Sequence, residues 1–174
     1  MEILERKLLI SPKQLTIIEI PVRLACELNY RWHSVLPIIH WSNVVRNKYY
    51  VCYGAYSQYI DNWKAVGIWS SPIASNRMKD GDRILELRRF AIAPDAPKYT
   101  ATWMLAQMIK RIKQKFPDII KLISYQDISI HKGIIYKAGN CKPEKLVRYQ
   151  SWNKTRKRNP AQTQGDKIRW VYLL

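Results

Sequence analysis

Cysteine and acidic residues are in short supply in this chain, and long apolar runs are missing. Three cysteines among 174 residues, Cys26, Cys52 and Cys141, are too few and too dispersed for a disulfide framework or a paired-cysteine metal motif. Free thiols, partly in the core, and a reducing compartment are expected. No window holds eighteen uninterrupted apolar residues, which excludes a helical membrane span. The first turns mix Glu2, Glu5, Arg6 and Lys7 and lack the basic region, apolar block and small-residue cleavage site of an export signal, so a cytoplasmic protein is expected. Internal repeats are absent, and 174 residues with 47% hydrophobic content suit one domain spanning residues 1–174.

The shortage of acid sets the charge. Thirteen Asp and Glu face 30 Lys and Arg, a formal net charge of +17. A polyanionic partner is expected, because cationic side chains that neutralise nucleic-acid phosphates release condensed counterions and gain affinity without reading sequence. Only two aromatics are Phe, against 11 Tyr and 7 Trp, residues that stack on bases and still present a polar edge.

Along the chain, Leu15–Ile20 reads as a strand, and Pro21 suits the first turn of a helix running to about Trp32. The run Ile38–Trp41 is ambiguous. Tyr49–Tyr56 and Lys64–Ser70 form β-rich runs joined by a turn-like linker, and Ser71–Asp82 is a loop leading to a strand at Ile84–Ala93. From Thr100 to Phe116, Met104, Leu105, Met108, Ile109 and Ile112 recur at the three- and four-residue spacing of one apolar helix face. Lys110, Arg111, Lys113 and Lys115 crowd the C-terminal half, where cations suit the helix dipole, and Pro117 stops the helix. Ile119–Tyr125 then reads as a buried strand, Ile130–Ala138 as a short helix stopped by Gly139, and Leu146–Trp152 with Ile168–Leu173 as a closing strand pair. Between these two lies the run Asn153–Pro160, an exposed loop by composition, whose Arg156, Lys157 and Arg158 form a candidate nucleic-acid arm beside Trp152.

The local sequence carries more than the element order. Leu85-Glu86-Leu87-Arg88-Arg89-Phe90, the helix after Ala96-Pro97, Ser124-Tyr125-Gln126-Asp127 and Gly133-Ile134-Ile135-Tyr136-Lys137-Ala138-Gly139-Asn140 together resemble the phage Mom family, GNAT-like proteins that modify adenine in DNA to a methylcarbamoyl form. Trp32-His33 and the tail Lys167-Ile168-Arg169-Trp170 fit more loosely. The resemblance implies an α/β fold of the GNAT N-acyltransferase type, a mixed central sheet with splayed central strands flanked by helices. It also implies a DNA-modifying enzyme acting on the exocyclic amine of adenine, with phage or prophage origin.

By the same resemblance an acetyl-CoA or other acyl-CoA donor lies along Phe90, Ala91 and Ile92, with its pyrophosphate at the turn and helix start holding Lys98, Thr100, Ala101 and Thr102. A helix start suits phosphate because its first N–H groups are unpaired and the dipole is positive there. Family members commonly carry glycine in that turn; Asp95 to Thr102 has none, which leaves Lys98, Thr100 and Thr102 to act through side chains. Tyr136 takes the position of the acid that protonates the leaving thiolate. Glu86, Asp127 and His33 are candidates to accept or steer the amine proton, His33 because its pKa lies near neutrality. Iron dependence has been considered for the family, which would place a metal at His33 with a nearby Tyr or carboxylate, although no ligand spacing here points to one.

Double-stranded DNA hides the adenine amine, so the base must be extruded into a pocket. Trp32, Arg88, Ser124, Tyr125 and His131 are the candidate substrate contacts, and Trp41 and Trp69 further wall candidates. Two alternatives stay open: an acetyltransferase acting on RNA or a protein amine, and a basic nucleic-acid-binding module of the same fold without catalysis. A homodimer is compatible with either, and the sequence does not set the oligomeric state.

Overall fold

The structure is a computed structural model, and it describes residues 11–33, 36–74, 83–149 and 165–174. After a short 3-10 turn at Pro12–Gln14 the chain runs through β1 (Thr16–Glu19), α1 (Val22–Trp32), a single turn α2 (Ser42–Val45), β2 (Tyr50–Ser57), β3 (Asn62–Ser70), β4 (Ile84–Ile92), α3 (Thr100–Lys115), β5 (Lys121–Asp127), α4 (Ile134–Ala138), β6 (Lys142–Val147) and β7 (Lys167–Leu173). Several strand ends lie one or two residues from the sequence reading, and three larger differences stand out. The ambiguous run before Ser42 is followed by α2. The short helix begins at Ile134, not Ile130, because residues 128–132 are held in a turn by Asp127. The penultimate strand begins at Lys142 and ends at Val147, so it only overlaps the run that the sequence reading starts at Leu146. Arg156, Lys157, Arg158 and Trp152 lie outside the described residues.

All seven strands join one sheet in the order β1-β2-β3-β4-β5-β7-β6. Every pairing is antiparallel except β4 with β5. That parallel pairing is short: it runs from Ile84 opposite Lys121 to Leu87 opposite Ser124 and then stops. Beyond it β4 continues to Ile92 and β5 to Asp127, so the sheet splits into a V, the splayed pair expected from the sequence.

A β-bulge sits where the V opens. Leu87 faces Trp69 and Arg89 faces Ile68, which leaves Arg88 as the extra residue. The bulge reverses the alternation along the strand: Leu85 and Leu87 before it, and Phe90 and Ile92 after it, all pack toward α3. Helix α3 lays Met104, Leu105, Met108, Ile109 and Ile112 on that sheet face, against Val51, Tyr53 and Trp69. Helix α1 covers the other face with Ala25 and Leu28 against Cys52, Val66, Ile68 and Ala91. Successive strand residues thus serve opposite cores, as a sheet covered on both faces requires. Among the described residues no helix is long and apolar enough to cross a membrane.

Candidate active site

The split between β4 and β5 is occupied by an open cleft of about 850 Å³. Glu86, Arg88, Arg89, Phe90 and Ile92 line it from β4, Ser124, Tyr125 and Asp127 from β5, Tyr136 from α4, and His33 from the end of α1. Ala101, in the first turn of α3, lines it too.

The β5 wall is a set of neutral groups locked to one another. Tyr136 is buried, shares a 2.9 Å hydrogen bond with the Ser124 hydroxyl, and stacks on Trp170 with ring centroids 5.4 Å apart and planes 13° from parallel. Trp170 donates its indole N–H to Gln126 Oε1 at 2.7 Å, and the Gln126 amide donates to the His131 carbonyl. Gly133, which precedes α4, has φ +70°, and a Cβ there would stand 2.4 Å from Gln126 Oε1. Only a residue without a side chain fits that corner. Burial raises the Tyr136 pKa, Ser124 moderates it through the hydrogen bond, and Cys141 adds to the rise. The phenol therefore rests protonated, the form a proton donor needs.

Asp127 ends β5 by folding the chain back. Its Oδ1 accepts from the Ser129 backbone N–H at 3.0 Å and from the Ser129 hydroxyl, and its carbonyl accepts from the N–H groups of Ile130 and His131.

The opposite wall is charged. Glu86 is buried on β4; on the same strand Arg88 donates to Ser70 Oγ at 2.8 Å and Arg89 donates to the carbonyls of Arg88 and Pro37 at 2.7 and 3.2 Å. Burial lowers the pKa of both arginines, Arg88 further lowers that of Arg89, and Glu86 supports the charge on each. His33, at the C-cap of α1, has its pKa lowered first by burial and then by Arg89 and His131. Its imidazole is neutral at neutral pH and can accept a proton.

At the α3 end, Tyr99 is the N-cap in the left-handed conformation at φ 70°, and no side chain caps the helix. The left-handed step often assigned to glycine is thus taken by Tyr99 in a turn that has no glycine. Lys64, buried along its stem on β3, pairs with Asp95 and ties this turn to the sheet. An uncapped helix start beside the β4 edge that β5 leaves beyond Leu87 fits a phosphate-bearing, extended donor through backbone groups.

Of the residues singled out from sequence, Tyr136, Glu86, Asp127, His33, Phe90, Ile92, Ala101, Arg88, Ser124, Tyr125 and His131 meet in the cleft. Others stand elsewhere. Ala91 is buried in the α1-side core, because the bulge turns its side chain to that face. Thr100 is buried with its hydroxyl donated to the Pro97 carbonyl at 2.7 Å, so it shapes the turn and does not reach toward a phosphate. Trp32 packs on the α1-side core and Trp69 is buried beneath α3, where its indole N–H meets Met108 Sδ at 3.2 Å. Trp41 takes the Arg23 guanidinium over its ring at 4.6 Å. Lys98 is exposed, with its ammonium 5.1 Å from the Tyr99 ring centroid, and Thr102 is half-buried outside the cleft lining. Among the described residues no group of three His, Cys, Asp or Glu side chains stands where it could hold a metal ion, so the iron implied by the resemblance gains no support.

Sequence reading missed Arg89, Gln126, Gly133 and Trp170. All four lie in the segments that carry the family resemblance, and Gly133, inside the helix that the sequence reading begins at Ile130, was an available signal of a break there. The others owe their roles to pairings between β4, β5 and β7 that local spacing does not encode.

Solved structures agree with this geometry at the level of fold. The ribosomal-protein-S18-alanine N-acetyltransferase of Escherichia coli is similar over 91% of this chain and 93% of its own, at 13% identity and a TM-score of 0.63. The spermidine N-acetyltransferase of Vibrio cholerae, in complex with CoA and spermine, matches over 92% and 96% at 12% identity and 0.63. The IAA acetyltransferase of Bacillus cereus matches over 92% and 99% at 14% identity and 0.64. The fold is the GNAT acetyltransferase fold, a mixed sheet flanked by helices. No curated protein matches in sequence. The profile of the Mom protein family matches residues 14–169, which takes in both walls of the cleft from His33 to Arg169, and the chain belongs to that family.

Proposed function

We propose that the protein transfers an acyl-derived group from an acyl-CoA-type donor to the exocyclic amine of adenine in DNA. The observation that carries this reading is the pairing of a protonated, buried Tyr136 with a charged wall around Glu86 across one cleft, at the split in the sheet that leads to the start of α3. The donor would supply an activated carbon joined to a thiol leaving group. Residues 88–92 would hold its extended arm along the edge of β4 that β5 leaves, and the N–H groups of Ala101 and Thr102 would receive its phosphates, that of Thr100 being given to the Pro97 carbonyl.

In acyl transfer the amine nitrogen bonds to the acyl carbon and the carbon–sulfur bond breaks. Tyr136 gives its proton to the departing sulfur, and the amine's proton passes to neutral His33 or to the Glu86 carboxylate. Adenine's amine is a weak nucleophile because its lone pair is shared with the ring, so removing its proton as the bond forms has a large effect. The cationic residues Arg88, Arg89, Lys132, Arg148 and Lys167, against the carboxylates Glu86 and Asp127, give the cleft a positive lining suited to a phosphate-rich substrate.

Nucleoside mass spectrometry on DNA from cells making this protein, beside cells making Tyr136→Phe, tests the reading. A new adenine-derived mass present only with the unchanged protein is expected. Unmodified DNA in both, with label from acetyl-CoA appearing in RNA or protein, would replace DNA as the substrate.

A further inference from the structure

The turn between β5 and α4 exposes apolar side chains at the mouth of the cleft. Ile128 and Ile130 are each 44% exposed and Ile134, at the start of α4, is 65% exposed. Ile130 and Ile134 line the cleft; Ile128 stands just outside its lining. Exposed isoleucines so close together on a strongly basic chain are a cost in water that calls for a use.

The turn is also rigid. Asp127 fixes it through Ser129 and through the N–H groups of Ile130 and His131, the Ile128 N–H donates to the Asp166 carbonyl at 3.2 Å, and Gln126 holds the His131 carbonyl. Isoleucine is itself stiff at its first side-chain torsion. The surroundings are cationic: Lys132 and Arg148 are exposed and line the cleft with Lys167.

From these observations we infer that Ile128 and Ile130 form a wedge that enters a DNA duplex and fills the gap left by the extruded base. The inference rests on the DNA reading above and adds how the base is brought out. Extruding a base costs a few kcal/mol of stacking and pairing, and a rigid apolar side chain in the vacated space recovers part of it. A flexible turn would lose that gain to the entropy of ordering. The flanking cations hold the phosphates on either side, so the apolar tip meets the base stack and not the backbone.

The test uses short duplexes carrying one 2-aminopurine, whose fluorescence rises on unstacking, within randomised flanks and with no donor present. The unchanged protein should raise the fluorescence on binding. Ile128→Ala combined with Ile130→Ala should bind the duplex comparably yet lose about tenfold of that rise, and both proteins should act alike when the 2-aminopurine lies opposite an abasic site. The variant should keep its thermal midpoint, since both side chains are substantially exposed, and Ile130→Leu should restore part of the signal. An undiminished rise in the double variant, or no rise with the unchanged protein, overturns the wedge. Because the measurement needs no turnover, a fluorescence rise with unmodified nucleosides would leave the wedge standing while the proposed chemistry fails.

Discussion

On the β5 wall Tyr136, Ser124, Gln126 and Trp170 are joined by neutral hydrogen bonds and ring stacking, whereas the β4 wall, one strand away, sets buried Glu86 with the half-buried guanidinium groups of Arg88 and Arg89. Strand neighbours usually share an environment; here the bulge at Arg88 and the end of parallel pairing at Ser124 separate them. The neutral wall keeps a proton on its phenol by denying the anion solvation. The charged wall keeps cations where the proposed phosphate-rich substrate would arrive. One cleft can thereby donate a proton and attract an anion without the two tasks cancelling each other.

The largest effect should come from Tyr136→Phe. The ring and its stacking on Trp170 remain, so stability should fall only by about the 1 kcal/mol of one lost hydrogen bond. Turnover should drop by about 10²- to 10⁴-fold, with kcat affected and the dissociation constants of donor and DNA spared. A proportional loss of DNA affinity would make the neutral wall a binding surface and erase the contrast between the two.

Gly133→Ala tests how far the neutral wall depends on being locked. Its φ of +70° and a Cβ 3.0 Å from Trp170 Cζ2 and closer still to Gln126 predict a stability loss of about 1–3 kcal/mol, read in the thermal midpoint. The Trp170–Gln126 hydrogen bond should yield first, so turnover should fall further than stability alone explains. A midpoint unchanged by the substitution would show that this wall tolerates rearrangement.

These two predictions bear on residues that the sequence treats very differently. Tyr136 was singled out through the family resemblance of the segment Gly133 to Asn140, whereas the apolar spacing of Met104, Leu105, Met108 and Ile112 by itself placed α3 closely. Gly133 was visible only as part of a motif, and Trp170, on β7, gave no sign that it would stack on Tyr136, because β7 joins β5 across more than forty residues of sequence. The bulge was hidden for a related reason: Leu85-Glu86-Leu87-Arg88-Arg89-Phe90 shows two arginines in a row, but which one is extra is set by pairing with Ile68 and Trp69. Period and punctuation report what a segment does by itself, and the cleft is made by what segments do to one another.

On the charged wall, Arg88→Met should leave stability within about 1 kcal/mol. The methionine keeps most of the volume, the Ser70 hydroxyl retains its hydrogen bond to the Ser71 carbonyl, and Arg89 still supports the Glu86 charge once the half-buried Arg88 cation is gone. The salt dependence of DNA binding should fall in slope by about one if Arg88 meets a phosphate. An unchanged slope with a large stability loss would make Arg88 a structural partner of Glu86 and leave the positive lining to Arg89 and the rim.

The smallest effect separates the walls by pH. His33 has its folded pKa below the ordinary imidazole value of about 6.5, through burial first and the Arg89 and His131 charges next. Below that ordinary value the unfolded chain takes up a proton on His33 that the folded chain resists, so this residue's contribution to stability is complete above it and declines as pH falls toward the folded pKa. Catalysis that uses neutral His33 should therefore persist below pH 6.5, with an acid limb in kcat/KM displaced to lower pH. In His33→Gln that limb should vanish while the alkaline behaviour set by Tyr136 remains. A limb that stays in place in the variant would move the proton-accepting role to Glu86, and both acid and base chemistry would then lie with the two strands that part to form the cleft.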